Sequence, residues 1–365
     1  MTADQIVQFQ SKLLEWFGRY RRLLPWRETK DPYKIWVAEV MLQQTQVKKV
    51  LQYYDRFLVQ FPDIFALANA SFHQVLKAWE GLGYYARARN LHRAAQIVIE
   101  KFDGKIPSEY KEFKSLPGAG NYITAAVLSQ AFNARYAVVD GNVKRVLARL
   151  FLMDQPVNQS AHARLFQARM NALLDNEQPG DFNQAMMELG AMICRPESPR
   201  CSQCPVQSFC LASQTNQQDS YPRSVGMRTT PTYRIAVGVI HYNGRILITQ
   251  RQSEGLLGGL WEFPGGRLNP GESPEQGCLR TIKEKTNLDV TIDRFITQVH
   301  HAYTHFKIIL DVFDCQAQSD NILLNGPAQY RWVCLSEISH FPFHAAVHKF
   351  LPLLKGSAYD ALIRD

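Results

Sequence analysis

The chain has 365 residues, of which 46% are hydrophobic, and it carries 41 basic against 33 acidic side chains, a formal net charge of +8. This length accommodates two domains with separate cores, and no apolar run approaches the roughly 20 residues that a membrane-spanning helix needs. The N-terminal sequence MTADQIVQFQSKLLEWF lacks the basic and then apolar order of a signal peptide. We therefore expect a soluble, cytoplasmic, monomeric protein without a membrane partner, and the positive charge favours a polyanionic partner.

Helical spacing dominates the first part of the chain. Large apolar residues recur at intervals of three and four through residues 1–211, for example in QVLKAWEGL and YITAAVLSQAF. This pattern predicts an all-α domain.

One acidic residue lies inside the apolar segment IWVAEVMLQQTQV. On a helix, Glu39 has Ile35, Trp36, Leu42 and Gln43 as its neighbours three and four positions away. A buried carboxyl group without a partner is costly, and apolar surroundings raise its pKa so that it stays protonated near neutral pH. Glu39 is therefore a candidate proton donor.

Two glycines and a second acid follow further along the chain. LPGAGNYITAAV places Gly118 and Gly120 between two helical patterns, where glycine lets the backbone approach a ligand and free helix N–H groups can bind a phosphate oxygen. YAVVDGNVKRVLARL then leads to Asp140, directly before a basic amphipathic helix. Taken alone, these motifs also fit an ordinary helix–turn–helix connection and an ordinary helix N-cap.

Seven cysteines divide into a tight group and three scattered residues, Cys278, Cys315 and Cys334, which we expect to be core thiols. The group has the spacing Cys-x6-Cys-x2-Cys-x5-Cys, and four thiolates this close can hold either a zinc ion or an iron–sulfur cluster. Structural zinc sites usually contain two Cys-x2-Cys pairs, whereas this chain has one, so the spacing favours a cluster over zinc. The four residues of the group are Cys194, Cys201, Cys204 and Cys210.

The pattern changes after the cysteines. Residues 212–231 are polar and poor in large apolar side chains, which is typical of a linker. RIAVGVIHYNGRILITQR then contains two strand-like runs on either side of Asn243 and Gly244, a strong signal of a β-hairpin. The predicted fold is therefore multidomain, with an all-α domain joined through the linker to a smaller α+β domain at 232–356, followed by a tail at 357–365. Further strands are predicted at 290–299, 304–315 and 328–334, and a closing helix near 343–354.

These motifs together resemble a known superfamily. LPGAG, VVDGNVKRV and the cysteine spacing resemble the helix–hairpin–helix DNA glycosylases that carry a [4Fe-4S] cluster, with the hairpin at 116–122 and the iron–sulfur loop at 194–210. Within that superfamily, WVAEVMLQQTQV, GLGYYARARNLH, VDGNVKRVLAR and FNQAMMELGAMIC resemble the adenine DNA glycosylase family over residues 5–211. The resemblance implies a helical glycosylase domain at 1–211 and a [4Fe-4S] cofactor held by the four cysteines. It also implies base excision repair of double-stranded DNA that contains A·8-oxoguanine or A·G mispairs.

The resemblance further assigns the chemistry of adenine removal. Glu39 would donate a proton to adenine N7, and Asp140 would face the positive charge that develops on the sugar, as paired carboxylates do in glycosidases. Tyr122 and Asn142 would orient Asp140 and the sugar. Bifunctional relatives carry a lysine nucleophile at the position of Tyr122, and a tyrosine cannot form their Schiff base. We therefore expect base excision without efficient strand cleavage.

Further side chains correspond by position to contacts with the base and the DNA. Gln43 and Gln44 offer paired amide groups of the kind that bind base edges. Tyr84, in GLGYY, resembles an aromatic wedge that enters the base stack. For each aromatic residue the alternative is ordinary core packing. Four side chains would line the pocket for a flipped adenine: Trp26, Arg27, Leu42 and Gln184.

The second domain resembles a degenerate Nudix domain. Its segment FPGGRLNPGESPEQGCLRTIKEKTNL keeps four residues of the Nudix box, Gly266, Glu272, Arg280 and Glu284, and replaces three, at Thr281, Lys285 and Asn287. Mg²⁺ needs several oxygen ligands, so the loss of two carboxylates and the gain of a cation predict that the domain has no pyrophosphatase activity.

In the adenine DNA glycosylase family, a domain of this kind recognises 8-oxoguanine on the opposite strand. The Phe-Ser-His recognition loop of the family aligns here with Tyr303, Thr304 and His305. The aromatic, hydroxyl and imidazole groups are kept although two of the side chains differ. The resemblance therefore implies that this loop contacts the lesion.

Two other functions are compatible with parts of the sequence. An endonuclease III-like pyrimidine glycosylase and lyase would share the helical fold, but Tyr122 and the surroundings of Glu39 count against it. A catalytically inert lesion-binding protein would keep the fold without the chemistry, but the presence of both Glu39 and Asp140 counts against it.

Overall fold

The computed structural model of the protein describes residues 1–226 and 229–354. The described residues of Met1–Asn69 and Asn90–Met227 form one compact unit, and those of Ala70–Arg89 and Arg228–Asp365 form a second. The expected tail lies outside the described residues, as do residues 227–228 of the expected linker and 355–356 of the expected C-terminal domain.

The part of the chain before residue 227 is helical, as the spacing of its apolar residues predicts. Short 3-10 turns occur at Pro25–Arg27, Ser160–His162, Cys201–Gln203 and Gln207–Phe209. The helices are α1 (Ala3–Tyr20), α2 (Pro32–Leu42), α3 (Val47–Gln60), α4 (Ile64–Asn69), α5 (Phe72–Trp79), α6 (Ala86–Phe102), α7 (Tyr110–Lys114), α8 (Asn121–Phe132), α9 (Gly141–Phe151), α10 (Ala163–Leu173), α11 (Pro179–Met192) and α12 (Leu211–Gln214).

Two central helices of the first unit are buried almost all round. Every residue of α2 from Ile35 to Met41 is buried, and so is every residue of α8 from Ile123 to Gln130. The two helices pack against each other. A helix that is apolar on all sides belongs in a core, so a polar side chain on α2 or α8 has to find its partners inside the protein.

Helices α1, α9, α10 and α11 share a second core in the first unit. It joins Phe9, Leu147, Phe166 and Phe182, one residue from each helix, all at most 1% exposed. This core fixes α9 and α11 against each other. The N-terminus of α9 and one side of α11 are thereby placed beside α2.

The second unit contains a seven-stranded sheet with the order β3-β2-β1-β6-β5, in which β4 pairs with β1 and β7 with β2. Strands β1 and β6 are parallel, and the other pairings are antiparallel. The strands are β1 (Thr232–Tyr242), β2 (Arg245–Gln250), β3 (Trp261–Glu262), β4 (Gly265–Arg267), β5 (Val290–Ala302), β6 (Lys307–Ala317) and β7 (Gln329–Val333), accompanied by helices α13 (Pro274–Thr286) and α14 (Leu351–Leu354).

Alternate residues of β1 point to opposite faces of this sheet. Val239 belongs to the core on one face together with Phe263. Ala236 and Ile240 belong to the core on the other face, which Ile282 of α13 completes. The expected α+β fold of this part of the chain is confirmed.

The expected hairpin joins β1 and β2, and its two turn residues both have positive φ, 47° at Asn243 and 71° at Gly244. The three further predicted strands are present as β5, β6 and β7. The predicted closing helix near 343–354 is wrong for most of its length, because Phe343 pairs with Trp261 in an isolated β-bridge and only α14 and a 3-10 turn at Val347–Lys349 are helical.

No helix in the two described stretches combines the length and the apolar character that crossing a membrane would require.

Candidate active site

A cavity of about 200 Å³ lies in the first unit, where α2, α8, α9 and α11 meet. Both acids singled out from the sequence line it, although they are about 100 positions apart in the chain. Its lining consists of Arg22, Leu24, Trp26, Arg27, Glu39, Leu42, Thr45, Val47, Tyr122, Asp140, Asn142, Gln184, Met187, Glu188 and Ala191.

Glu39 is buried on α2 and is 4% exposed. Its carboxyl group has two partners on α8: the amide of Gln130 donates to Oε1 at 2.7 Å, and the hydroxyl of Tyr122 donates to Oε2 at 3.0 Å. Burial raises the pKa of Glu39, and the negative charge of Asp140 raises it further, while the two hydrogen bonds oppose the shift. A carboxyl group in this setting holds its proton to higher pH than an ordinary glutamate.

Asp140 combines the two roles that the sequence left open. Its carboxylate caps α9 by accepting a hydrogen bond from the backbone N–H of Val143 at 2.7 Å, and it also lines the cavity. The side-chain amide of Asn142 donates to its other oxygen at 2.9 Å. Burial raises the pKa of Asp140 above its ordinary value, and these hydrogen bonds and the charge of Arg145 offset that rise only in part. Its hydrogen bonds thus stabilise the ionised form.

Tyr122 makes a different contact from the one expected. The sequence predicts that it orients Asp140, but its hydroxyl donates to Glu39, and the carboxylate of Asp140 is held by Asn142 and Val143 instead. The reason is its position as the second residue of α8, the helix that packs on α2.

Asn142 does contact Asp140, and a second hydrogen bond fixes the orientation of the Asn142 amide. The guanidinium of Arg145 donates to its Oδ1 at 2.9 Å. Because a guanidinium can only donate, the Asn142 amide nitrogen is left to face Asp140.

The residues expected around a base are partly assembled at the cavity. Trp26 is 3% exposed and packs its ring against the edge of Tyr54, with the ring centroids 5.2 Å apart, yet it also lines the cavity. Arg27 and Gln184 are joined by a hydrogen bond of 3.0 Å from Nε to Oε1. Gln43 and Gln44 follow α2 and do not line the cavity. Gln44 is exposed and has a φ of 54°.

Two residues of the site, Gln130 and Glu188, were missed in the sequence. Gln130 contacts Glu39 across 91 positions, and no local pattern reveals such a pair. Glu188 lies one helical turn after Gln184 on α11 and contacts Arg22 and Arg27. Helical spacing from Gln184 would have placed Glu188 on the side of the cavity.

The expected helix–hairpin–helix motif consists of α7, residues 115–120 and α8. Gly118 has a φ of +78°, and a Cβ atom there would lie 2.9 Å from Cβ of Asn90. Gly120 is the N-cap of α8 and has free space around it. Position 118 therefore requires glycine for its left-handed backbone conformation, whereas position 120 does not.

The four clustered cysteines line one cavity of about 30 Å³, together with Arg149. None is in a disulfide, and Nη1 of Arg149 donates to Sγ of Cys194 at 3.3 Å. Burial, and to a lesser extent the neighbouring sulfurs, raise the pKa of Cys204 to about 12. In the described part of the chain, no three His, Cys, Asp or Glu side chains converge as ligands of a metal ion. The four thiols thus line one shared space.

The scattered cysteines were expected in cores. Cys278 and Cys315 are buried, but Cys334 is exposed, because it follows the edge strand β7 directly. That part of the expectation is wrong.

The remaining predicted contacts lie in the second unit. Tyr84 is 38% exposed with a φ of 49°, its hydroxyl is hydrogen-bonded to the hydroxyl of Thr304, and the guanidinium of Arg87 lies 5.2 Å from its ring centroid. Thr304 and His305 are exposed, whereas Tyr303 is partly buried, stacks on Phe306 and packs against the core. The expected recognition loop thus presents two side chains outward and packs the third against the core.

The degenerate Nudix box has its remaining charges in ion pairs. Arg280 binds Glu272 at 2.6 Å and Glu284 at 3.1 Å. Nζ of Lys285 lies 3.3 Å from Glu262, and the hydroxyl of Thr281 donates to the carbonyl of Gly277 within α13. The carboxylates of this region are therefore neutralised by side chains.

Comparisons with known proteins agree with this architecture. A family model described as "HhH-GPD superfamily base excision DNA repair protein" matches residues 37–170, and one described as "NUDIX domain" matches residues 236–353. Both expected domain types are confirmed.

Relatives extend over nearly the whole chain. The sequence is 31% identical over 408 residues to the adenine DNA glycosylase of Homo sapiens, which covers 96% of this chain and 75% of the relative. It is 32% identical over 305 residues to the adenine DNA glycosylase of Buchnera aphidicola subsp. Baizongia pistaciae, which covers 83% of this chain and 84% of the relative.

Solved structures share the helical part of the fold. A thermostable thymine-DNA glycosylase has 30% identity and a TM-score of 0.54, covering 58% of this chain and 98% of that one. A non-covalent endonuclease III–DNA complex has 21% identity and a TM-score of 0.50, covering 60% and 99%, and at this identity it shows the fold alone.

Proposed function

The chain belongs to the adenine DNA glycosylase family, and from that premise we propose that it excises adenine mispaired with 8-oxoguanine or guanine from double-stranded DNA, without efficient strand cleavage. Base excision by the family is hydrolysis of an N-glycosidic bond. The observation that carries the proposal is that Glu39 and Asp140 line the same cavity of about 200 Å³. Such a pair supplies one acid and one carboxylate to the two sides of a glycosidic bond.

Glu39 acts as the proton donor. Adenine is a poor leaving group, and protonation at N7 removes the negative charge that would otherwise develop on the departing base. The raised pKa of Glu39, caused first by burial, keeps a population of the acid form available near neutral pH. Gln130 and Tyr122 hold the carboxyl group in place while it gives up the proton.

Asp140 acts at the sugar. Bond cleavage leaves positive charge on the sugar ring, and an ionised carboxylate fixed nearby stabilises that charge without having to reorganise. The backbone N–H of Val143 and the amide of Asn142 orient Asp140 and favour its ionised form against the effect of burial. Tyr122 contacts the acid instead of this carboxylate and has no amine, so no Schiff base with the sugar forms at this position.

The four cysteines are the ligands of a [4Fe-4S] cluster in this proposal. Their arrangement around one cavity beside α9, with Arg149 donating to Cys194, supports it. When bound, the cluster crosslinks the loop 194–210. The chain itself supplies Arg145, which donates to the backbone carbonyl of Cys194 at 2.8 Å and so connects this loop to α9.

The DNA partner is recognised on both strands. Gly118 and the N-terminus of α8 support contact with a phosphate. Tyr84 is the wedge beside the lesion, and the exposed Thr304 and His305 contact 8-oxoguanine. The hydrogen bond between Tyr84 and Thr304 supports a common role for these side chains.

Three labelled duplexes test this function in single turnover, each quenched with and without hot alkali. They carry adenine opposite 8-oxoguanine, adenine opposite guanine, and thymine glycol opposite adenine. Fastest adenine loss opposite 8-oxoguanine, with strand breaks mainly after alkali, is the expected result. Cleavage of the thymine glycol strand without alkali would instead identify a pyrimidine glycosylase and lyase.

A further inference from the structure

We propose that Glu188 is a positioning residue that determines which hydrogen-bonding edge Gln184 presents to the base. Both residues lie on α11, one turn apart, and both line the cavity. The inference rests on the proposed removal of adenine from DNA.

Glu188 itself is not available to a substrate. Its side chain is fully buried and accepts four hydrogen bonds: from the backbone N–H, Nε and Nη2 of Arg22 at 3.0, 2.8 and 2.6 Å, and from Nη2 of Arg27 at 2.9 Å. Four is the ordinary capacity of a carboxylate. Burial alone raises the pKa of Glu188, but the bonds from the two arginines outweigh burial and lower the pKa to about 2. Glu188 is therefore an ionised anchor for both guanidinium groups.

Arg27 transmits this anchoring to Gln184. The Arg27 side chain is 6% exposed, and its guanidinium also donates to the carbonyl of Arg22 at 3.1 Å and lies 5.2 Å from the ring centroid of Phe17. With these contacts satisfied, its Nε points at Oε1 of Gln184, 3.0 Å away. Contacts with Glu188, the carbonyl of Arg22 and the ring of Phe17 thus fix the guanidinium plane independently of Gln184.

The chemistry of this contact leaves one orientation for the Gln184 amide. A guanidinium has five donors and no acceptor, so only the carbonyl oxygen of Gln184 can face Arg27. The amide nitrogen then lies on the other side and donates to no other group among the described residues. Gln184 therefore presents N–H donors to the cavity.

A donor at this position selects a base with a ring nitrogen that accepts. Adenine has such nitrogens at N1, N3 and N7, and N7 receives the proton of Glu39 in the proposed mechanism. N3 lies beside the sugar bond, which leaves N1 as the acceptor for Gln184. A base with carbon in place of N1 leaves the amide donor of Gln184 without an acceptor, which costs free energy of binding.

The test compares adenine with 1-deazaadenine, each placed opposite 8-oxoguanine, in single turnover with the protein in excess. For each protein, the readout is the release rate of adenine divided by the release rate of 1-deazaadenine. This ratio does not depend on the folded fraction of a variant. We expect the Glu188→Gln variant to reduce the ratio about tenfold relative to wild type, the worth of one hydrogen bond. The new amide nitrogen cannot accept a hydrogen bond, and the side chain loses its negative charge, so the anchor of Arg27 weakens and Gln184 can turn.

Further variants keep the test decisive. Arg27→Lys preserves the charge opposite Glu188 but removes the Nε donor, so it should reduce the ratio as Glu188→Gln does, even if the latter does not fold. Gln184→Met should give the same reduced ratio, and adding Glu188→Gln to it should change the ratio no further. Glu15→Gln, which makes the same chemical change in an exposed ion pair with Arg19, should leave the ratio unaltered.

The outcomes separate this inference from the proposed function. No release of adenine by the wild type would contradict the function itself. Adenine release with a ratio that falls in Gln184→Met but stays at the wild-type value in both Glu188→Gln and Arg27→Lys would overturn the positioning role. A slower rate for both bases at an unchanged ratio would assign Glu188 to stability alone.

Discussion

The hydroxyl of Tyr122 donates a hydrogen bond of 3.0 Å to Oε2 of Glu39, the buried acid of the cavity. This bond lowers the pKa of Glu39, against the larger upward effect of burial. Tyr122 thus moderates the acidity of Glu39. The consequence appears in the pH dependence of the reaction.

We predict that the Tyr122→Phe variant extends activity to higher pH. In the proposed mechanism Glu39 is active in its protonated form, so we expect the rate to fall as pH rises through its raised pKa. The hydrogen bond from Tyr122 lowers that pKa, so its loss should raise the pKa of Glu39. The fall in rate at alkaline pH should therefore begin at a higher pH than in the wild type. Single-turnover rates of adenine release across pH 5 to 9 measure this, with Tyr53→Phe, at a partly exposed side chain of α3 that does not line the cavity, as the control. A fall in rate that begins at lower pH in Tyr122→Phe would contradict the role of Glu39 as the proton donor.

Glu39 should make the protein less stable at neutral pH than a neutral side chain would. Its folded pKa is raised above its unfolded value, so the stabilisation it provides below the unfolded pKa is lost as pH rises through the folded pKa. The Glu39→Gln variant keeps partners for Gln130 and Tyr122 but cannot ionise. Its melting temperature should match that of wild type near pH 4 and exceed it increasingly up to pH 8. Glu15→Gln, at a side chain that is 58% exposed, should show no such growing difference.

The Asp140→Asn variant should fold normally and lose at least about a hundredfold in rate. Asparagine caps helices about as well as aspartate, so α9 keeps its first turn while the charge beside the sugar is gone. Asp31→Asn makes the same change at the N-cap of α2 and should retain the wild-type rate within about twofold. Equal inactivity of wild type and Asp140→Asn, with both binding the mispaired duplex, would identify a lesion-binding protein instead of an enzyme.

Gly118→Ala should destabilise the protein and weaken DNA binding. Its φ of +78° costs about 1–2 kcal/mol for a residue with a Cβ atom, and that atom would lie 2.9 Å from Cβ of Asn90. Gly18→Ala is the matched control, because Gly18 lies within α1 with open space around it. This control should stabilise by about 0.5–1 kcal/mol. Urea unfolding measures both changes, and an unaffected Gly118→Ala would show that the hairpin does not need a left-handed residue.

Cys204→Ser should abolish most of the bound iron. Cys204 is partly buried and lines the cavity with the other three thiols, and a hydroxyl is a poor ligand for iron–sulfur clusters. Cys334→Ser removes an exposed thiol outside that cavity and should keep the iron content of the wild type. Iron and sulfide analysis with visible absorption measures both. Stoichiometric zinc without iron in the purified wild type would contradict the cluster.

The sequence predicts the local features of this protein well. The helices of the first unit, the hairpin at Asn243 and Gly244, and the strands of the second unit all follow from apolar spacing and turn residues. The acidic character of the site is also visible locally, because Glu39 interrupts an apolar run and Asp140 precedes a helix. Resemblance to a family adds the pairing of these two acids.

The partners of these groups could not be predicted, since they depend on packing between distant elements. Gln130 meets Glu39 because α8 lies on α2, and Tyr122 faces Glu39 for the same reason. The expectation for the segment 343–354 failed because Phe343 adds to Trp261 at the sheet, a pairing between distant segments that overrides local helical spacing.

Release of free adenine from a duplex with adenine opposite 8-oxoguanine tests the central claim most directly, measured in single turnover with wild type and Glu39→Gln. We predict release by the wild type and a loss of at least about a hundredfold in the folded Glu39→Gln variant, the range of general acid catalysis. Release at the wild-type rate by this variant would contradict a role for Glu39 as the proton donor.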